Sequence, residues 1–363
     1  MTRIFRFIIL ILTICVSAAL FITYLTYYID PRELSFFEIW ALGYPIYMSL
    51  AFVSIIYWLF SDIKKYVFIP LISIVFGMST HLDVIAFNKS VEPSSDNTLS
   101  VVTYNVQAFN WLGWRQRKDI QQGVCEYLYE KQADVLCFQE FHHDIREAFV
   151  VIDSLKKHAG VTNIAAYQFH AIPGRYFYGN VICSRFPIIR HDVLQFQKTG
   201  NSCLWADIKK GTDTIRICNV HFESYRFSPN QIETINKMSF YHIEEPEEYR
   251  SLFDNFSHAI FLRAHQAEEL AQFIVKSPYK VVVTGDFNTP PYSHTYRTVQ
   301  KAADFSDAFL SAGSGIGGTL NWKLSAIRLD YVLYPNNWKA FRYESPQLLL
   351  SDHFPVYTEI SVE

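Results

Sequence analysis

The chain has 363 residues, 50% of them hydrophobic and 17% aromatic, and a formal net charge of −3. That exceeds one average domain and leaves ample material for a buried core. Residues 1–88 hold five basic and five acidic residues, so the acidic excess belongs to the remainder, whose composition does not point to the basic surface that sequence-independent nucleic-acid binding uses.

Apolar runs at about 5–29, 39–60 and 66–87 predict three membrane-spanning helices, since a span needs about 20 apolar residues; His81 and Asp83 interrupt the third. The first run outlasts the ~7–15-residue apolar core of a signal peptide, and no small-residue cleavage site ends it. "LTIC" (12–15) has the look of a lipid-attachment box but carries bulky Ile14 where a small residue is expected. Arg3 and Arg6 before the first run, and Lys64 and Lys65 between the second and third, place those ends in the cytoplasm. Three crossings then put the rest of the chain outside it, as for a multi-pass protein of a bacterial inner membrane with a periplasmic domain. The polar stretch from Asn88 to Ser100 contains a linker, 89–98, leaving 99–363 as the second domain.

Along that domain short β-rich runs recur: "LSVVTYNV" (99–106), "DVLCFQE" (134–140), "YGNVICS" (178–184), "CLWADIK" (203–209), "TIRICNVHF" (214–222), "KVVVTGDF" (280–287), "RLDYVLY" (328–334) and "FPVYTEI" (354–360). Helical spacing marks 115–132 and 259–277. Strands outnumber helices and the helices fall between them, which predicts two β-sheets packed face to face with helices outside. Cys125, Cys137, Cys183, Cys203 and Cys218 lack C-x-x-C spacing, so buried thiols are expected rather than a zinc site.

Polar residues follow the apolar runs at Asn105, Gln139-Glu140, His221 and Asp286 with Asn288, while Asp330 sits inside "IRLDYVL" and Asp352-His353 precedes "FPVYTEI". Each alone fits a cap, a turn or a satisfied core group. Six strands ending in acid, amide or imidazole point jointly to one shared site at an end of the sandwich. Carboxylate and amide oxygens without thiolates suit Mg²⁺ or Mn²⁺ and a phosphate substrate, and two histidines can supply protons. No G-x-S-x-G occurs, and "GSGIGGT" (313–319) lacks the lysine of a phosphate-binding loop, so it reads as a flexible loop.

"TYNV", "FQE", "GNVICSRFPI", "NVHFES", "GDFN", "IRLDYVL" and "SDHFPV", in that order from Leu99 to about Ser361, resemble the endonuclease/exonuclease/phosphatase, or deoxyribonuclease-I-like, superfamily. The resemblance implies an α/β fold, a four-layer αββα sandwich, and a divalent-metal phosphoesterase. It implies metal-site roles for Asn105, Glu140 and Asp352. Asp286 looks like the group that deprotonates the attacking water and Asn288 like a phosphate contact. His353 resembles the histidine on the scissile phosphate, Asp330 its orienting carboxylate, and His221 a histidine of the deoxyribonuclease, sphingomyelinase and phosphoinositide branches. Apurinic endonucleases usually have tyrosine at that last position. The stretch 225–260, aromatic and acidic around Glu244 to Glu248, is longer than the crossover needs. It reads as a helical flap or as a lid over the site. A phosphate-ester substrate (lipid, small molecule or nucleic acid) and the lipid bilayer are the expected partners, with no protein partner predicted. An extracytoplasmic nuclease and a catalytically inactive phosphate-binding protein are the alternatives.

Overall fold

The valine- and isoleucine-rich runs become strands because β-branched side chains fit a pleated, buried surface. The computed structural model describes residues 3–93, 97–110, 116–147, 149–227, 246–321 and 327–362. By its internal contacts the chain divides into two units. One comprises residues 1–84, 223–265 and 292–297; the other comprises 85–222, 266–291 and 298–363.

The second unit holds two mixed six-stranded sheets flanked by helices. Its strands are β1 (Ala86–Phe87), β2 (Thr98–Asn105), β3 (Val135–Asp144), β4 (Asn163–Ile172), β5 (Tyr176–Ser184), β6 (Ile188–Gln195), β7 (Ser202–Lys210), β8 (Asp213–His221), β9 (Lys280–Asp286), β10 (Phe305–Asp307), β11 (Ser314–Gly315), β12 (Asp330–Pro335), β13 (Ala340–Glu344) and β14 (Val356–Ser361). One sheet runs β13-β14-β2-β3-β5-β4 and the other β10-β12-β9-β8-β7-β6, while β1 and β11 pair separately. Only β2 with β3 and β8 with β9 are parallel neighbours within these sheets. Val101, Val135 and Cys137 from the first sheet interlock with Leu204, Ile217, Val282 and Val332 from the second. Helices Arg117–Lys131 and Val151–His158 cover the first sheet's outer face through Val124, Leu128 and Leu155. Strands β4, β6, β10 and β13, which no run singled out in the sequence covers, are the four outer edges of the two sheets. Cys137, Cys183, Cys203 and Cys218 are wholly buried in strands, as expected of apolar thiols.

The first unit contains α1 (Arg3–Tyr24), α2 (Phe36–Ala41), α3 (Tyr44–Leu59), α4 (Phe68–Phe76) and α5 (Met78–Val84). The expectation of three spans is corrected here. Among the described residues one helix, α1 with its continuation to Tyr27, is long and apolar enough to cross a membrane, or two if a bent pair counts as one. Gly43 separates α2 from α3, leaving α3 with 16 residues. At Gly77 the third run breaks, and its two halves are bent by 64°. A side chain at Gly77 would begin 2.0 Å from the Tyr24 ring, so the break and the close approach of α1 go together. The same unit includes segments from far along the chain: Leu20, Tyr44 and Ala51 form one apolar cluster with Tyr292. Of the 225–260 stretch, 228–245 lies outside the described residues, as does 94–96 of the linker. The acidic residues Glu244 and Glu245 fall in that undescribed part.

Candidate active site

Parallel pairing aligns strand ends, and here it aligns the polar residues. His221 sits opposite Asp286 in the β8–β9 register, and Asp330 opposite Asp286 in the antiparallel β9–β12 register. Gly285 makes this possible: with φ +131°, its Cβ would lie 2.0 Å from the Val220 carbonyl oxygen. In the first sheet, Asn105 ends β2 opposite Gln139. Glu140 is left-handed (φ 52°) inside a bulge between Phe138 and Phe141. A bulge re-aims a side chain, and Asn105 Nδ2 donates to Glu140 Oε1 at 3.2 Å and to Asp286 Oδ2 at 3.0 Å. One amide thus joins carboxylates from both sheets.

His353, just before β14, completes the cluster. Its Nδ1 donates to Asp330 Oδ2 at 2.8 Å, and its Nε2 lies 3.6 Å from Asp286 Oδ2. Burial alone would lower the His353 pKa, but the carboxylates of Asp330, Asp286 and Asp352 outweigh it and hold the imidazole well above its ordinary value. Burial raises Asp330, against the pull of His353. His221 Nε2 approaches Glu140 at 3.6 Å and Asp286 at 3.9 Å, and makes no hydrogen bond among the described residues. Asn288, left-handed at φ 52°, gives its backbone N–H to Asp286 Oδ1 at 2.8 Å and its side-chain amide to the Phe222 carbonyl at 3.0 Å. Asp352 accepts from Gln107 Nε2 at 2.9 Å, and its pKa is raised by burial and by Glu140 despite His353. The eight residues singled out in the sequence are therefore gathered at one end of the sheets.

Several contributors were not singled out. Tyr178 hydrogen-bonds Glu140, and burial followed by that carboxylate's charge pushes its phenol pKa far up. Gln139 Nε2 donates to Asn219 Oδ1 at 2.6 Å, and Asn219 Nδ2 donates to the Phe138 and Val181 carbonyls at 2.9 and 3.0 Å, tying the sheets together. Thr319, at the end of the run read as a flexible loop, is fully buried and accepts from the Asp330 N–H at 3.1 Å. Gln107 to Asn110 form a left-handed turn with φ of 45°, 51°, 54° and 53°, a conformation disfavoured by roughly 1–2 kcal/mol per residue. Buried Phe109 and the Arg117 bond to the Ala108 carbonyl (2.9 Å) hold it. The tyrosine lay within a quoted motif; the turn and the threonine had no distinctive signal.

Ligand-type atoms of Asp286, Asp330 and His353 lie within 4.8 Å of one another and could hold a metal ion. That trio is already cross-linked by the His353 proton. Glu140 and Asp352 differ: neither pairs with Lys or Arg among the described residues, and the Glu140 carboxylate disfavours charge on Asp352. An oxygen-only donor set lacking a compensating cation fits a hard divalent ion.

A family model described as "Endonuclease/Exonuclease/phosphatase family" matches residues 102–353. A second, described as "Domain of unknown function (DUF8431)", matches residues 6–83. Among solved structures, the chain is similar to humanized TDP2 of D. rerio at 18% identity, covering 74% of this chain and 100% of that one with a TM-score of 0.52. A Bacteroides thetaiotaomicron protein of the same family aligns at 14% identity over 73% and 98% of the chains, TM-score 0.53. The human Nocturnin catalytic domain aligns at 18% identity over 73% and 94%, TM-score 0.50. At these identities the likeness shows a common fold. No curated protein matches the sequence.

Proposed function

Because the chain belongs to the endonuclease/exonuclease/phosphatase family, whose members hydrolyse phosphoester bonds, we propose that it is a divalent-metal-dependent phosphoesterase held at a membrane by α1. One observation carries the reading: His221, Asp286 and Asp330 stand side by side on adjacent strands, with His353 bonded to the last of them. Glu140, Asp352 and the Asn105 amide would hold Mg²⁺ or Mn²⁺, which when bound polarises a phosphoryl oxygen and offsets developing charge.

The remaining work falls to the protein's own groups. Asp286, 1% exposed and fixed by Asn288 and Asn105, takes the proton of the attacking water. Asn288 steadies that water and the phosphate. Protonated His353, oriented by Asp330, donates through Nε2 to a phosphoryl oxygen, where its charge counts most in the transition state. His221, whose Nε2 is unbonded, is free to protonate the leaving oxygen. A cleft of about 450 Å³ lined by Tyr176, Tyr178 and His170 offers room for the group that the phosphate carries.

The slightly acidic composition favours a lipid or small-molecule phosphodiester over a polynucleotide. The purified full chain with Mg²⁺ is to be assayed on sphingomyelin, phosphoinositides, DNA and RNA. Turnover of the first two, lost on chelation, is expected; exclusive turnover of DNA with steep salt dependence would instead establish the nuclease reading. Arg3 and Arg6 at the start of α1 favour a cytoplasmic N-terminus and an extracytoplasmic catalytic domain. An alkaline phosphatase fusion after Asn88 should be active for an odd number of crossings and silent for an even one.

A further inference from the structure

The two segments that follow the catalytic strands enter the same unit as the N-terminal helices, where a buried carboxylate holds one and a buried guanidinium the other. Glu38, on α2 and only 5% exposed, accepts the backbone N–H of His294 at 2.6 Å. The Arg263 guanidinium, fully buried, acts electrostatically on Glu38. Arg263 Nη1 donates to the Glu223 carbonyl at 2.8 Å and its guanidinium lies 4.4 Å above the Tyr225 ring. Glu223 is two residues past His221, and His294 is six past Asn288 through the stiff Pro290-Pro291 pair. Around this hub α1 and α5 add separate ties. Thr26 Oγ1 donates to the Tyr292 carbonyl at 2.9 Å, Tyr44 and Tyr292 rings stand 4.9 Å apart, and Arg297 pairs with Asp83 at 2.9 Å. A membrane anchor alone does not require buried, charged contacts to segments more than two hundred residues away, and burying such groups is costly unless they are paired.

We propose that the region matching the domain of unknown function is a positioning element for catalysis, with Glu38 its principal positioning residue. Glu38 fixes the segment after Asn288 and Arg263, beside it in the same unit, fixes the segment after His221, so that the imidazole and amide keep their attack geometry. The inference rests on the phosphoesterase reading for its kinetic consequence but not for its structural one.

The test uses the full chain in detergent or nanodiscs with bis(p-nitrophenyl) phosphate and Mg²⁺. Glu38→Ala should lower kcat about 10-fold or more, since small misplacements of catalytic groups are that costly, with KM changed less than about 2-fold. Glu38→Gln, which keeps the acceptor for the His294 N–H, should recover most of the loss. Thr26→Val, rescued by Thr26→Ser, should show the same split more weakly and serves if Glu38→Ala does not fold. Should the wild type hydrolyse no phosphoester, the phosphoesterase reading fails, and hydrogen exchange still decides: the amides of residues 223–227 and 292–297 should exchange faster in Glu38→Ala. A folded Glu38→Ala protein with unchanged kcat and unchanged exchange there overturns the proposal.

Discussion

The two sides of the site handle negative charge differently. On the second sheet's side, Asp286 and Asp330 are 1% and 0% exposed, yet His353 sits between them and neutralises part of their charge. On the first sheet's side, Glu140 and Asp352 have amides, a phenol and a serine hydroxyl around them but, among the described residues, no lysine or arginine. A buried proton balances one side; among the described residues the other has no such partner. The contrast is why we propose different work for residues of similar type that lie close together: proton transfer for one group and ion binding for the other.

Removing the metal should therefore have the largest effect. Chelation should abolish turnover, and Mg²⁺ should raise the melting temperature of the wild type by ligand linkage, about 2.7 kcal/mol at a hundredfold excess over Kd. Glu140→Gln should remove that rise. If Mg²⁺ stabilises Glu140→Gln fully but His353→Ala not at all, the ion belongs among Asp286, Asp330 and His353, and the two sides have been assigned the wrong way round.

Next in size is the proton side. His221→Ala and His353→Ala should each lower kcat by roughly 10²–10⁴-fold while leaving the Mg²⁺-induced rise in melting temperature intact. Asp330→Asn should mimic a weakened His353, because the imidazole loses its orienting carboxylate. The double variant should be scarcely worse than His353→Ala alone. A full product of the two defects would mean that Asp330 acts by itself.

A smaller effect tests what keeps the two sides in register. Asn219→Ala leaves the Gln139 amide with Thr103 as its acceptor and takes a donor from two buried carbonyls, which should cost on the order of 1–3 kcal/mol for each group left unsatisfied. Denaturant unfolding measures this directly. Activity at a temperature where the variant is folded should fall far less than in the histidine variants.

Most of the site was legible because its residues end apolar runs, and a polar group at that position stands out against Val and Ile. Asn105, His221, Asp286 and Asp330 were found this way. Asn219 was not, since an amide inside a strand looks like any tolerated polar residue until its three bonds across the sheets are seen. Nor was the left-handed turn at 107–110, whose sequence "QAFN" contains no glycine. Strands β4 and β6 are edge strands with many exposed residues, so they lack the apolar density by which the central strands announce themselves. The apolar N-terminal region misled in the opposite sense. Hydropathy registers length and composition, whereas Gly43 and Gly77 break two of its three runs into pieces that pack on one another and on Tyr292.

The placement of the thiols gives the molecule a built-in clock. Cys137, Cys183, Cys203 and Cys218 lie at 0% exposure in strands of both sheets, and burial pushes Cys183 up to about 12, so the reactive thiolate is scarce even where reagent could reach. A maleimide pulse would therefore count openings of the paired sheets rather than surface fluctuations, at a rate set by the free energy of separating them. Cys15, exposed on α1, would react at once in detergent and stop reacting once lipid covers that helix. One labelling experiment, read by mass on two peptides, would time the opening of the paired sheets and report the solvent that surrounds α1.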